Sequence, residues 1–161
     1  MICVTGTPGV GKSTVKNELN QRGFKALEFD SLIGDCIVEE VEGERIVDEE
    51  CLHEINADGI YFGHLSHFSK CRKVVVMRAH LADIEARLKE RGYSKSKIMD
   101  NLESEAIDLI GFEAEGFHPG DTFEVLNSSV KETADFIENI IKGREPKSLK
   151  IDLVEEILDW Y

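Results

Sequence analysis

The sequence predicts an α/β fold in which a parallel five-stranded sheet is covered by helices on both faces. Three observations carry that expectation. Five short apolar runs rich in β-branched and aromatic residues recur along the chain, segments with helical periodicity separate them, and the first run passes through a glycine-rich turn straight into a helix. At 161 residues, with 42% hydrophobic and 32% charged side chains, the chain has the composition of one globular domain, and no internal repeat is present.

Ile2 to Thr5 reads as a buried strand closed by Gly6, and Ser13 to Arg22 as a helix with Val15 and Leu19 on one face and Gly23 as its stop. Lys25 to Phe29 is a second strand, after which Asp30-Ser31 can cap a helix running to about Val38. Glu39 to Glu50 is an acidic excursion around Arg45-Ile46-Val47, and Glu49 to Asn56 a short helix. Gly59 to Phe62 and Lys73 to Met77 are the third and fourth strands. Leu81 to Arg91 is a helix with Leu81, Ile84 and Leu88 on one face, broken by Gly92-Tyr93-Ser94; Ile98 to Ile110 is helical again. Thr122 to Leu126 is the fifth strand, and Asn127-Ser128-Ser129 can cap the helix Val130 to Lys142. Beyond a joint at Gly143 to Pro146, Leu149, Leu153 and Ile157 predict an amphipathic helix from Lys147 to Tyr161.

The formal charge of −13 disfavours bulk nucleic acid as a partner, and no apolar run is long enough to span a membrane. The stretch Lys70 to Lys97 nevertheless holds nine basic residues against three acidic ones, which suggests a site for a small polyanion or a solvated basic helix face. Cys3, Cys36, Cys51 and Cys71 show no C-x-x-C spacing and nothing marks export, so unpaired, packed thiols in a cytoplasmic protein are expected.

The strongest chemical signal is Gly6-Thr7-Pro8-Gly9-Val10-Gly11-Lys12-Ser13, which fits G-x-x-x-x-G-K-[ST] between a strand and a helix. Its glycines let backbone N–H groups turn inward and approach phosphate oxygens, and the helix N-terminus adds its positive end. A turn explains the glycines but not Lys12-Ser13 at that fixed offset. Gly9, Val10, Gly11, Lys12, Ser13 and Thr14 are therefore the expected ATP-binding residues, with Lys12 catalytic through the β- and γ-phosphates and Ser13 the expected Mg²⁺ ligand. The fold class becomes a P-loop NTPase-type sheet. The N-K-x-D element of a GTPase is absent, and the short chain points to a small nucleotide kinase.

Four stretches resemble the adenylate kinase isoenzyme six family, also described as the coilin-interacting nuclear ATPase family, with many archaeal members. They are Thr5 to Thr14; Arg45-Ile46-Val47-Asp48-Glu49; Gly63-His64-Leu65-Ser66-His67; and Glu90 to Lys97 followed by Asp100-Asn101. The resemblance implies transfer of the ATP γ-phosphoryl group to a nucleoside monophosphate, typically AMP, with ATPase activity. It also implies a role in small ribosomal subunit maturation through a uS11-type ribosomal protein. A single domain follows, with a monophosphate-binding region at about residues 31–57 and a short lid at about 91–98. The resemblance makes Arg91 a phosphate contact and a catalytic residue, and matches His64 to a histidine important for hydrolysis, with a hydrogen-bonded structural histidine as the alternative.

Asp30, Arg78 and Arg87 are expected acceptor-binding residues. Arg78 follows the fourth strand, where ligands gather in open sheets. Asp30 could instead cap a helix, Arg87 could pair with Asp83 four residues earlier, and Asp48 could be a solvated loop residue. His64 and His67 form an H-x-x-H pair without further zinc ligands at useful spacing. Where the family usually places an acidic residue, two positions before His64, this chain has Phe62.

Overall fold

The structure is a computed structural model that describes all 161 residues. Its central sheet has five strands in the order β2-β5-β1-β6-β7, every pairing parallel: β1 (Ile2–Thr5), β2 (Ala26–Glu28), β5 (Ile60–Phe62), β6 (Lys73–Arg78) and β7 (Thr122–Leu126). These are the five runs expected from sequence. Helix α1 (Lys12–Gln21) and helix α6 (Val130–Ile141) bury Val15, Leu19, Ala134 and Ile137 against Val4, Phe62 and Val75 on one face. On the other face Ala114 of α5 (Leu109–Phe117) covers Cys3, Val74 and Val76, while Leu52 of α2 (Glu49–His53) meets Phe29 and Tyr61. Helices α3 (Leu81–Glu90) and α4 (Lys95–Ala106) follow β6. No helix is long and apolar enough to cross a membrane.

Three expected helices differ. Asp30 to Val38 is two 3-10 turns leading into β3 (Ile37–Val41), which pairs antiparallel with β4 (Glu44–Val47) around Glu42-Gly43, both at positive φ. The acidic excursion is thus a hairpin. The helix expected over Ile98–Ile110 is interrupted between α4 and α5, where Asp108 takes φ 55° and its carboxylate caps Gly111 N–H at 3.1 Å. The C-terminal segment is not an α-helix. It runs without regular structure past β7, where Ser148 Oγ donates to Glu124 O and the Ile151 amide donates to the Glu124 carboxylate, and ends in a 3-10 helix, Val154–Trp160. Leu153 and Ile157 are buried as the periodicity suggests, but Leu149 and Leu158 face solvent.

The cysteines also differ from expectation: Cys3 is bonded to Cys71 and Cys36 to Cys51, leaving no free thiol. Parallel pairing of β1 with β6 brings Cys3 within 5.9 Å of Cys71 (Cα–Cα), and the Asp48 amide on Cys36 O draws Cys51 to 5.4 Å from Cys36. Separations of 68 and 15 residues conceal both contacts, and the argument from unpaired thiols to a reducing compartment falls away.

A buried charge cluster joins β6, α4, α5 and β7. Arg78 is 0% exposed; Nε lies 3.1 Å from Glu105 Oε2, and Nη1 lies 3.0 Å from Asp108 Oδ2 and 3.6 Å from Glu124 Oε1. Three carboxyl groups thus share one guanidinium. Burial, then the neighbouring Glu124, pushes Asp108 up to about 8 from its ordinary 3.8, so it holds a proton in the folded chain at neutral pH. A carboxyl group raised on folding stabilises the fold below its unfolded pKa, and that contribution is lost as pH rises from about 4 to about 8. Asp108→Asn should therefore gain stability relative to the parent between pH 5.5 and 8, by up to about 1.4 kcal/mol per pH unit. Urea midpoints at the two pH values check this; a constant difference between the two chains contradicts it.

Candidate functional site

The turn Gly6–Ser13 lies at the C-terminal end of β1. The connections leaving β1 and its neighbour β6 run to opposite edges of the sheet, which opens a crevice between the two strand ends. The turn's shape requires glycine. Gly6, Gly9 and Gly11 have φ 154°, 94° and 99°, and a Cβ on Gly6 would stand 2.6 Å from Met77 O. Gly11 caps α1 without a side-chain acceptor, so the amides of the first turn point at the crevice with no local partner. Val10 is fully buried beneath the turn, while Ser13 and Thr14 are exposed at its rim.

Lys12 folds back over the turn and donates to Gly6 O at 2.5 Å and Thr7 O at 3.2 Å. Burial, then the facing Arg91 guanidinium, lowers it to about 7 from 10.5, against an upward pull from Glu105 and Glu28. Arg91 follows α3 directly, near enough for its charge to act on Lys12. Asn127, at the end of β7, donates from Nδ2 to Val10 O at 2.9 Å and accepts from Thr133 Oγ1 at 2.9 Å, which locks the outer side of the turn.

Beside the turn lies a cleft of about 450 Å³ whose lining includes Thr7, Arg45, His64, Tyr93, Lys97 and Ser104. Asp30 stands at its rim, 2.8 Å from Arg45 Nη2. Lys97 reaches across from α4 to Glu44 of the hairpin at 2.8 Å and lies 4.6 Å from the Tyr93 ring centre. His64, solvent-exposed as a residue but with its ring crowded by the cleft walls, is lowered to about 4 by desolvation first and Lys12 second, so its ring is neutral at pH 7. His67 points away: its Nδ1 is 2.9 Å from Thr5 Oγ1 and its Nε2 3.4 Å from Glu113. Asp48 caps α2 through Glu50 N–H.

Two expected acceptor-binding residues lie elsewhere. Arg78 is sealed in its carboxylate cluster beneath α4, α5 and the C-terminal segment, so no ligand can reach it. Arg87 pairs neither with Asp83 nor with the cleft; its Nη1 donates to Gly9 O at 2.8 Å and its guanidinium lies over Gly11, on the outer flank of the turn. The cleft's own cations, Arg45 and Lys97, were not among the expected acceptor contacts, although Lys97 closes the basic stretch and lies in the expected lid. Arg45 could have been noticed as the lone cation within the acidic stretch from Glu39 to Glu50.

Phe62 is 1% exposed at the end of β5, an apolar group where an acid was expected. No three carboxylate, histidine or cysteine side chains gather into a metal cage. Ser13 at the start of α1, with phosphate oxygens and water, fits a cation that keeps its hydration and arrives with a nucleotide.

A Cβ on Gly11 would lie 2.5 Å from Asn127 Nδ2 at a φ of 99°. Gly11→Ala should cost about 1–3 kcal/mol in backbone strain and displace Asn127. Thermal melts with and without ATP test this: the parent's midpoint should rise with ATP, and that of the variant should not move.

A family profile described as AAA domain (AAA_18) matches residues 2–108. A protein of Archaeoglobus fulgidus named "Putative adenylate kinase" is 38% identical over 148 residues, covering 89% of this chain and 83% of that protein. A protein of Methanothermobacter thermautotrophicus with the same name is 37% identical, covering 89% and 90%. Among solved structures, shikimate kinase from Bacteroides thetaiotaomicron superimposes with a TM-score of 0.55 at 16% identity, over 88% of this chain and 97% of that one, a likeness of fold alone. The chain has the P-loop NTPase α/β fold, belongs to the AAA_18 family and is adenylate kinase-like.

Proposed function

We propose that the protein transfers the γ-phosphoryl group of ATP to a nucleoside monophosphate, AMP in the first instance. The observation that carries this reading is the adjacency of two anion sites: the phosphate turn opens onto a cleft whose far wall supplies Arg45 and Lys97. A hydrolase would need only the first. The reading assigns the hairpin and α2, within residues 31–57, to the monophosphate, and the Arg91-Gly92-Tyr93-Ser94 connection to a short lid. The narrower likeness to the isoenzyme six family agrees with this division.

In this mechanism the amides of Gly9 to Thr14 receive the β- and γ-phosphates. Lys12 exchanges the carbonyls of Gly6 and Thr7 for phosphate oxygens. Arg87, already on the flank of the turn, borders the donor nucleotide, while Arg45 leaves Asp30 for the acceptor phosphate. Mg²⁺, held through Ser13 and the phosphates, supplies charge neutralisation when bound. An anionic acceptor oxygen forms the new bond to the γ-phosphorus as the bond to the β,γ-bridging oxygen breaks, and ADP departs with that electron pair. No general base is required, because the acceptor is ionised at pH 7. Arg91 meets the charge that builds on the equatorial oxygens. With water in place of the acceptor, the neutral His64 ring on the cleft lining orients it, which yields ATPase activity.

A second reading, an ATP-driven assembly factor for the small ribosomal subunit that engages a uS11-type protein, draws on the −13 charge and on Phe112, 74% exposed on α5. Pull-down with that ribosomal protein, with and without ATP, tests it; no capture in either state removes it.

ADP formation measured with ATP plus AMP, CMP, dAMP or UMP should exceed the ATP-only rate for at least one monophosphate. If none raises it, the kinase reading fails. Arg45→Ala should raise the acceptor KM about 10- to 100-fold, the loss expected for a charge-assisted hydrogen bond, with the ATP KM within twofold of the parent. Initial-rate kinetics in both substrates check this.

A further inference from the structure

Helix α4 brings one buried carboxylate to the leading edge of the phosphate turn. Glu105 is 2% exposed, and its Oε1 accepts from Thr7 Oγ1 at 2.8 Å. Its other oxygen, Oε2, accepts from the Ala79 amide at 3.0 Å and from Arg78 Nε at 3.1 Å, while Arg78 Nη2 donates to the Glu105 carbonyl at 2.6 Å. Glu105 is thereby fixed to the end of β6 from below and grips the turn from above. Thr7, itself 2% exposed, is the residue on which the turn closes. Its carbonyl accepts from the Val10 amide at 3.2 Å and from Lys12 Nζ at 3.2 Å.

We propose that Glu105 is a positioning residue for the phosphoryl donor, acting through the Thr7 hydroxyl to hold the turn in the shape that receives the triphosphate. The proposal rests on the kinase reading for its substrate. A carboxylate suits the task because it only accepts, and it faces three donors: the Thr7 hydroxyl, the Ala79 amide and the Arg78 guanidinium. The bond to Thr7 is buried and charge-assisted, so it is not exchanged for water as a surface contact would be. Helix α4 also carries Lys97 and Ser104 on the cleft wall, so the helix that borders the acceptor cleft is the one that restrains the donor loop.

The test uses Thr7→Val, which removes the hydroxyl at nearly constant volume and leaves Glu105 on Ala79 and Arg78. Thr7→Ser restores the hydroxyl, and Glu105→Gln is made in the parent and in the Thr7→Val chain. The Thr7→Val chain should show an ATP KM raised roughly tenfold or more, and Thr7→Ser should return the ATP KM to the parental value. Glu105→Gln should add less than twofold once the hydroxyl is gone, because its effect passes through that bond. An unchanged ATP KM in Thr7→Val overturns the proposal. So does a fully additive Glu105→Gln effect, or failure of Thr7→Ser to recover. Should the Gln variant not fold, the Val and Ser pair decides alone. Titration with a non-hydrolysable ATP analogue separates this outcome from failure of the kinase reading. Without any monophosphate-dependent turnover in the parent, a weakened analogue affinity in Thr7→Val alone still supports the positioning role, and an equal affinity in both chains refutes it.

Discussion

The absence of side chains at three positions after β1 is the constraint on which the site depends. At Gly6 the backbone passes so near Met77 that a Cβ would stand 2.6 Å from its carbonyl oxygen, and at Gly11 the same is true of Asn127 Nδ2 at 2.5 Å. The turn is thus wedged between the ends of β6 and β7, and positive φ angles direct its amides toward one point. The donors are fixed before any ligand arrives, so little reorganisation is needed when charge develops. Tertiary contacts on the outer side, Arg87 on Gly9 O and Asn127 on Val10 O, keep the loop from relaxing into a tighter turn with internal hydrogen bonds.

Electrostatics around the turn follow from the same geometry. The chain is strongly acidic, yet Arg45 and Lys97 line the cleft beside the turn that carries Lys12, and the charge of Arg91 bears on Lys12. In isolation such cations would repel one another, and three of them are held by local partners: Lys12 by two loop carbonyls, Arg45 by Asp30, Lys97 by Glu44. Exposed pairs of this kind contribute little to stability, about 0–1 kcal/mol, so they can be exchanged for phosphate oxygens at small cost. The buried cluster around Arg78 works the other way. Its guanidinium is fully buried, and it anchors the phosphate turn through Glu105 rather than binding a ligand.

The legible part of the fold was local. Val74-Val75-Val76 and Ile2-Cys3-Val4-Thr5 are buried on both faces of a parallel sheet, and such strands advertise themselves as continuous β-branched runs. The phosphate turn was equally legible because glycine spacing, lysine and serine all sit within eight residues. Errors arose where a residue's partner is remote. The spacing of Leu149, Leu153 and Ile157 suits a helix, but the segment stays extended because its backbone is bound to Glu124 and Arg78, 27 and 73 residues away. Arg78 occupies the strand end where ligand-binding groups often emerge, and only the arrival of Glu105, Asp108 and Glu124 from three other elements converts it into an internal anchor.

The sequence by itself determined the five strands of the central sheet, their parallel packing under helices and the phosphate-binding turn, because hydrophobic period, β-branching and glycine spacing act over a few residues. Tertiary structure alone decided which arginines face the cleft, that the acidic stretch folds into a hairpin bearing Arg45, that the cysteines pair, and that Glu105 holds Thr7. Apart from the hairpin, whose strands pair locally, those outcomes depend on groups 15 to 98 residues apart meeting within hydrogen-bond or covalent distance, and no local pattern encodes that separation.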